Sequence, residues 1–172
     1  MRHLRKPLLA GKFSGNWVVG FEFSGRLSET GVYGEATHAH TDVGRDFIRA
    51  VLGFEHAFPN TLTVGAEIYY NGQGMTDRTR YDFTQLFSGK TQNVARRYTG
   101  AHLKYEFIPL LRTENHFIAN LDDGSIFFAP SMVYSFTADW EWVLGVQFFR
   151  GGSGSEYGRF HDLAYTSLQW FF

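Results

Sequence analysis

Apolar and polar residues alternate with period two along most of this chain. From Asn16 to Arg26, Trp17, Val19, Phe21 and Phe23 share one parity, and Val18, Gly20, Glu22, Ser24 and Arg26 share the other. That is the pattern of a β-strand with two chemically different faces. It recurs from Asp46 to Phe58, where Ile48, Ala50, Leu52 and Phe54 oppose Arg49, Gly53 and Glu55, and from Leu62 to Tyr70, where Val64, Ala66 and Ile68 oppose Gly65 and Glu67. Thr99, Ala101, Leu103, Tyr105 and Phe107 alternate with Gly100, His102, Lys104 and Glu106. Phe117, Ala119 and Leu121 make a shorter stripe, Ile126 to Phe136 another strand, and Trp140 to Phe148 a further one opposing Glu141, Gly145 and Gln147. A last strand runs from about Asp162 to Phe172. With a weaker one over residues 32–37, the pattern predicts nine strands within residues 16–172. Residues 1–15, with Pro7 in the middle, form a poorly defined segment or a weak tenth strand.

The connections alternate in length. Residues 27–30, 59–60, 109–111 and 137–139 are short turns marked by Pro, Asn, Asp and Ser, whereas residues 39–45, 72–95 and 151–160 are longer and polar. Residues 122–124, Asp-Asp-Gly, break this rule. In an up-and-down antiparallel order the short turns gather at one end and the longer loops at the other, the asymmetry of membrane-spanning β-barrels.

Alternation leaves open whether the apolar face points into a core, as in a soluble lipocalin-like barrel that carries a small apolar ligand, or out into lipid. Three features favour lipid. The opposite parity carries Glu22, Glu35, Arg49, Glu55, Glu67, His102, Lys104, Glu106 and Glu141, interspersed with glycines, a set suited to a water-filled lumen and a candidate pore lining. Aromatics gather near strand ends (Trp17, Phe58, Tyr70, Phe107, Phe136, Trp140, Phe148, Trp170), where interfacial girdles belong. The third feature is the carboxyl terminus, Tyr165-Thr-Ser-Leu-Gln-Trp-Phe-Phe172, with Leu168, Trp170 and Phe172 on one parity.

That ending resembles the terminal signal strand of bacterial outer-membrane β-barrel proteins. The stretch Asn120-Leu-Asp-Asp-Gly-Ser-Ile-Phe-Phe-Ala-Pro-Ser-Met-Val-Tyr134, with Gly154-Ser-Glu-Tyr-Gly158, resembles the closing hairpins of porin-like barrels of Gram-negative bacteria. The resemblance implies an all-β, antiparallel up-and-down transmembrane β-barrel in the outer membrane. It would act as a passive channel or a surface-binding protein and not as an enzyme. Outer-membrane lipid, lipopolysaccharide and the barrel-assembly machinery would be its partners, the last reading Leu168, Trp170 and Phe172. Barrels of single chains have an even number of strands. The expectation is therefore either ten strands with a weak first one or the carboxyl-terminal portion of a larger barrel, and the short apolar stretch after the basic start, too short for a signal sequence, favours the second.

Composition narrows the alternatives. The formal charge is −1 in 172 residues, so no electrostatic footprint argues for nucleic acid. With 18 Phe, 9 Tyr and 4 Trp the chain has ample apolar surface to bury, which excludes disorder. No window reaches the 18 or so apolar residues a membrane helix needs. There is no Cys, which removes disulfides, thiolate metal sites and Cys nucleophiles.

Candidate chemistry is sparse. His38 and His40 share a strand face with Asp42 beyond them, but a metal site needs more ligands, so a rim loop is the better reading and no metal or cofactor is expected. Asp122-Asp123 and His161-Asp162 fall at the end where outer-membrane proteases carry acidic and Asp/His pairs, yet adjacent strand residues point to opposite faces, so neither pair converges. No Ser–His pair is singled out by spacing. Gly72-Gln-Gly74 and Gly151-Gly-Ser-Gly154 lack a following helix and read as flexible loops. Gly15-Asn16-Trp17 resembles the lipocalin opening without its companion motifs. The loop from Asn71 to Arg97 is long enough to have its own structure, with a helical turn over residues 82–87. Its cations Arg78, Arg80, Lys90, Arg96 and Arg97 outnumber Asp77 and Asp82, which suits a ligand-facing loop or one that contacts phosphorylated glycolipid.

Overall fold

The computed structural model describes residues 2–5, 7–13, 16–42, 44–89, 91 and 93–172, and of residues 2–5 and 13 only the backbone. Gly15 of the Gly-Asn-Trp stretch and Lys90 lie outside the described residues. The strands are β1 (Arg2–Arg5), β2 (Leu8–Phe13), β3 (Asn16–Leu27), β4 (Thr30–His40), β5 (Phe47–Ala57), β6 (Thr63–Asn71), β7 (Arg97–Ile108), β8 (Leu111–Asn120), β9 (Ile126–Thr137), β10 (Trp140–Arg150) and β11 (Leu163–Trp170). From β3 onward each strand pairs antiparallel with the next, and β1 and β2 both pair with β3, so the two short pieces together occupy one strand position. The break between them falls at Pro7, which has no N–H to donate to a ladder. The result is a single up-and-down sheet ten strand positions wide whose end strands, β1/β2 and β11, are not bonded to each other among the described residues.

The turns follow their local chemistry. β3 and β4 join through Ser28-Glu29, with Ser28 at φ 54° and Arg26 Nη2 paired to Glu29 at 3.1 Å. β5 and β6 join through Pro59–Thr61, where Phe58 N–H donates to the Leu62 carbonyl at 2.7 Å. The segment that the sequence pattern marks as a weaker strand over residues 32–37 is the full-length β4. The short stripe at Phe117 is the end of β8, which starts at Leu111; Thr113 and Asn115 interrupt the apolar parity there, while Arg112 and Glu114 lie on the polar one.

Register assigns the faces. The pairs Glu22↔Glu35, Glu35↔Val51, Thr37↔Arg49, Gly31↔Glu55 and Gly53↔Glu67 bring the first half of the polar set onto one side. Gly65↔His102, Lys104↔Glu114, Glu106↔Arg112 and Ser135↔Glu141 continue it on the same side. Because side chains alternate, Trp17, Val19, Ile48, Leu52, Ile68, Leu103, Met132, Trp142, Leu144 and Leu168 all lie on the other. That face is open: Leu52, Ile68 and Leu144 expose 52%, 58% and 51% of their surface. The buried apolar residues among those described are few (Ala39, Tyr81, Val94, Ala95, Tyr98 and Val133) and none lies on the apolar strand face. The accessible surface, 11775 Å², exceeds the roughly 8,600 Å² of a compact soluble monomer of this mass.

The sheet curls toward its polar side. Tyr33 of β4 lies across Gly53 of β5 so that its hydroxyl reaches Glu67 of β6 at 3.2 Å, and His102 of β7 lies across Gly65 of β6 and reaches Glu55 of β5 at 3.1 Å. A Cβ at Gly53 or Gly65 would collide with these rings, as one at Gly145 would with Tyr165. Glycine is needed at these positions for close approach. Contacts spanning two strands recur on this face, whereas ring contacts on the apolar face are within a strand or between neighbours, as in Phe128–Phe148 and Trp140–Trp170.

Candidate functional site

Two polar assemblies occupy the polar face, one at each end. At the short-turn end, Arg112 of β8 reaches across β9 to Glu141 of β10, donating from both terminal nitrogens at 2.8 and 2.9 Å, while its Nε donates to Glu114 at 3.0 Å. Ser135 Oγ also donates to Glu141, and Lys104 stands 3.8 Å from Glu114. The fork geometry of a guanidinium on a carboxylate fixes orientation as well as charge. Of the predicted lumen set, Lys104 and Glu141 thus enter ion pairs, His102 is within hydrogen-bond distance of Glu55, and Arg49 donates to Gln73. Glu22, Glu35, Glu67 and Glu106 have no cation within ion-pair distance among the described residues, and Glu22 and Glu35 stand directly opposite each other. The terminal residues of interest lie on the apolar face: Leu168 pairs with Trp142, and Trp170 stacks on Trp140 at 5.9 Å between Phe136 and Phe172, a continuous aromatic row.

At the long-loop end, three connections fold over the polar face. The β6–β7 connection contains a single 3-10 turn (Arg78–Arg80) and a helical turn, α1 (Phe83–Phe87), capped by Asp82, whose carboxylate accepts from Thr84 and Gln85 N–H. Tyr81, Val94 and Ala95 from this loop pack on Tyr98 to make the small buried cluster. The β8–β9 turn is organised by its acids. Asp122, whose side chain is fully buried, accepts from the N–H groups of Arg96 and Arg97 at 2.8 Å each and pairs with the Arg97 guanidinium. Asp123 accepts from Ser125 N–H and from Glu156 N–H of the β10–β11 loop, and Gly124 turns the chain at φ 73°.

Glu156 is the centre of this end. Only 3% of the residue is exposed; its Oε2 accepts from the Tyr98 hydroxyl at 2.7 Å and from Asn120 Nδ2 at 2.8 Å. Burial pushes its carboxyl above the ordinary range, with Asp123 adding to the rise and the Tyr98, Asn120 and Val94 donors opposing it. Burial likewise pushes the Tyr81 hydroxyl, which accepts from Asn120, up to about 12. A carboxyl whose folded pKa is raised contributes stability that is full below its unfolded value, about 4.3, and is lost as pH rises through the folded value. Between pH 4 and 8, roughly, the thermal midpoint of Glu156→Gln should therefore gain on that of the parent chain in the same medium. Parallel profiles would mean that Glu156 is not the titrating latch of this loop.

The residues singled out for chemistry do not converge. His40 and His38 approach Asp46, at 2.9 and 4.0 Å, and not Asp42. Among the described residues no group of three or more His, Asp or Glu is placed to hold a metal ion. Asp162 is held by Arg150 at 2.6 Å, and Asp122 by the start of β7. Instead the structure joins the two stretches that stood out together in the sequence, Asn120–Ser125 and Gly154–Gly158, through Asp123, Asn120 and Ser125. Sequence reasoning missed Tyr98, Asn71 and Asn120 as a buried set. Their signal was position: each sits on the polar parity at the loop end of a strand, where a large ring or an amide is otherwise unexplained.

No protein-family model matches the chain, and neither the curated proteins nor the solved structures compared with it give a match.

Proposed function

We propose that this chain forms a porin-like β-barrel of the bacterial outer membrane, its apolar face against lipid and its polar face lining a narrow lumen. The observation that carries this reading is the inversion of faces: large apolar side chains are exposed along strand after strand, while glycine, amides and ion pairs occupy the curled side. Strands of 8 to 12 residues from β3 to β11 suit the roughly 9–11 that a tilted membrane strand requires. The aromatic row from Phe136 to Phe172 would sit at one interface, and Trp17 and Phe148 toward the other. Closure would come from β11 pairing with β1/β2 or with strands of a longer chain. Extraction is the first test: the reading requires detergent to keep the protein monodisperse, and a soluble, monodisperse product without detergent would favour the carrier reading with its apolar ligand.

Transport follows from the charges. Glu22, Glu35, Glu67 and Glu106 stand without cationic partners among the described residues, and carboxylate-lined pores favour cations. In a planar bilayer under a salt gradient, the closed barrel should give a cation-selective reversal potential that moves toward zero in Glu22→Gln/Glu35→Gln. Anion preference would contradict the charge argument. Absence of conductance would mean that the ion-paired face and the folded loops plug the lumen.

A further inference from the structure

The loop end contains a cavity that the channel reading does not use. It lies between the β4–β5 connection and the folded β6–β7 loop, has a volume of about 570 Å³, and is lined by Arg45, Arg80 and Arg96 with Asn93, Asp46 and Asp82. Its size falls within the range of small-molecule sites. Its charges are unequally satisfied. Asp46 is engaged by His40 and by Thr41 N–H, and Asp82 by the N–H groups it caps and by the Gln85 amide. The guanidiniums are not: among the described residues none of Arg45, Arg80 or Arg96 has a carboxylate within ion-pair distance, and Arg96 donates only through Nε, to the Gly74 carbonyl at 3.1 Å.

A second observation lies behind the cavity wall. Arg49 donates from Nη2 to Gln73, which borders the cavity, but its Nε is buried and has no hydrogen-bond partner among the described residues. A fourth guanidinium thus stands behind Gln73, outside the cavity lining, and adds to the positive charge at this end of the sheet. Arginine forks match the oxygens of a phosphate in pairs, and the amide of Asn93 offers polar contacts to hydroxyls of the same ligand.

We infer that this cavity binds a phosphate group carried by a sugar-sized molecule, with Arg45 and Arg80 as its principal donors. The same chemistry exists in a free sugar phosphate and in the phosphorylated headgroup of a membrane glycolipid, and the site does not rest on the membrane reading for either. Arg45 and Arg80 are exposed loop residues without ion pairs, so Arg45→Gln and Arg80→Gln remove donors and no structural contact. Arg26→Gln, at the opposite end of the sheet, is the control.

Calorimetric titration of the full chain in detergent at low ionic strength, with glucose 1-phosphate, inorganic phosphate and glucose as probes, tests this. Saturable binding of glucose 1-phosphate is expected, stronger than that of phosphate and with none for glucose. It should weaken about tenfold or more in each cavity variant, since a hydrogen bond to a charged group is typically worth at least that, and be unchanged in Arg26→Gln. Lipid A is then added as competitor: displacement assigns the site to a glycolipid headgroup, and failure to displace assigns it to a free sugar phosphate. Circular dichroism establishes that the variants keep their strand content. If neither glucose 1-phosphate nor lipid A binds saturably, or if binding is the same in Arg45→Gln and Arg80→Gln as in the parent chain, the inference is wrong.

Discussion

Leu144→Arg should destabilise the folded protein in lipid by about 2–4 kcal/mol, the penalty for a cation on the lipid face near the bilayer midplane of a β-barrel. Leu144 lies midway along β10 between Trp140 and Phe148, beside Met132 on β9 and Thr166 on β11, with half its surface open. In water an exposed Leu→Arg change would be close to neutral, so the size of the effect reports the surroundings of that face. Gln147→Arg, three residues along on the polar face, should change stability by no more than about 0.5 kcal/mol. Reversible unfolding in lipid measures both. Equal tolerance at Leu144, Leu103 and Ala66 would mean the faces have been assigned the wrong way round.

Asp122→Ala should cost about 3 kcal/mol, by a different route. The carboxylate is fully buried and holds two backbone N–H groups at the start of β7 as well as the Arg97 guanidinium. Alanine leaves both N–H groups without an acceptor, at roughly 1–3 kcal/mol each. The guanidinium, 58% exposed, adds little because water can solvate it. The lost anchor also frees the adjoining β6–β7 loop, so trypsin should cleave faster after the exposed Arg78 and Arg80. A denaturation midpoint and a cleavage rate that both match the parent chain would contradict the role assigned to Asp122.

Strand positions and facing were legible in the sequence because a sheet with two unlike faces imprints a period of two on every strand. The short turns were legible for a similarly local reason, Pro and Asn at β5–β6 and Pro at β7–β8. The interrupted first strand was harder to read, since Pro7 divides it and neither piece is long enough to show alternation. The loop-end cluster was least legible. Glu156 is surrounded by Gly and Ser in the chain and looks solvated; what buries it is Tyr98 and Asn120, 58 and 36 residues away. Asp122-Asp-Gly124 was readable as a turn from its composition, but that its two carboxylates serve different elements, β7 and the β10–β11 loop, depends on long-range contacts that no local pattern encodes. The cations of the β6–β7 loop were visible as an excess, whereas the cavity formed with Arg45 required the loop to fold back toward the β4–β5 connection.

Whether the apolar face meets lipid and the polar face water is directly measurable, since the chain has no Cys and each introduced cysteine is the sole labelling site. Spin labels at Leu144→Cys and Leu103→Cys, and at Gln147→Cys and Glu67→Cys, can be compared in bilayers by their collision rates with oxygen, which partitions into lipid, and with a water-soluble nickel chelate. An apolar face in lipid should give high oxygen and low chelate accessibility at 144 and 103, with the reverse at 147 and 67. Chelate accessibility at 144 and 103 equal to or above that at 147 and 67 would contradict it.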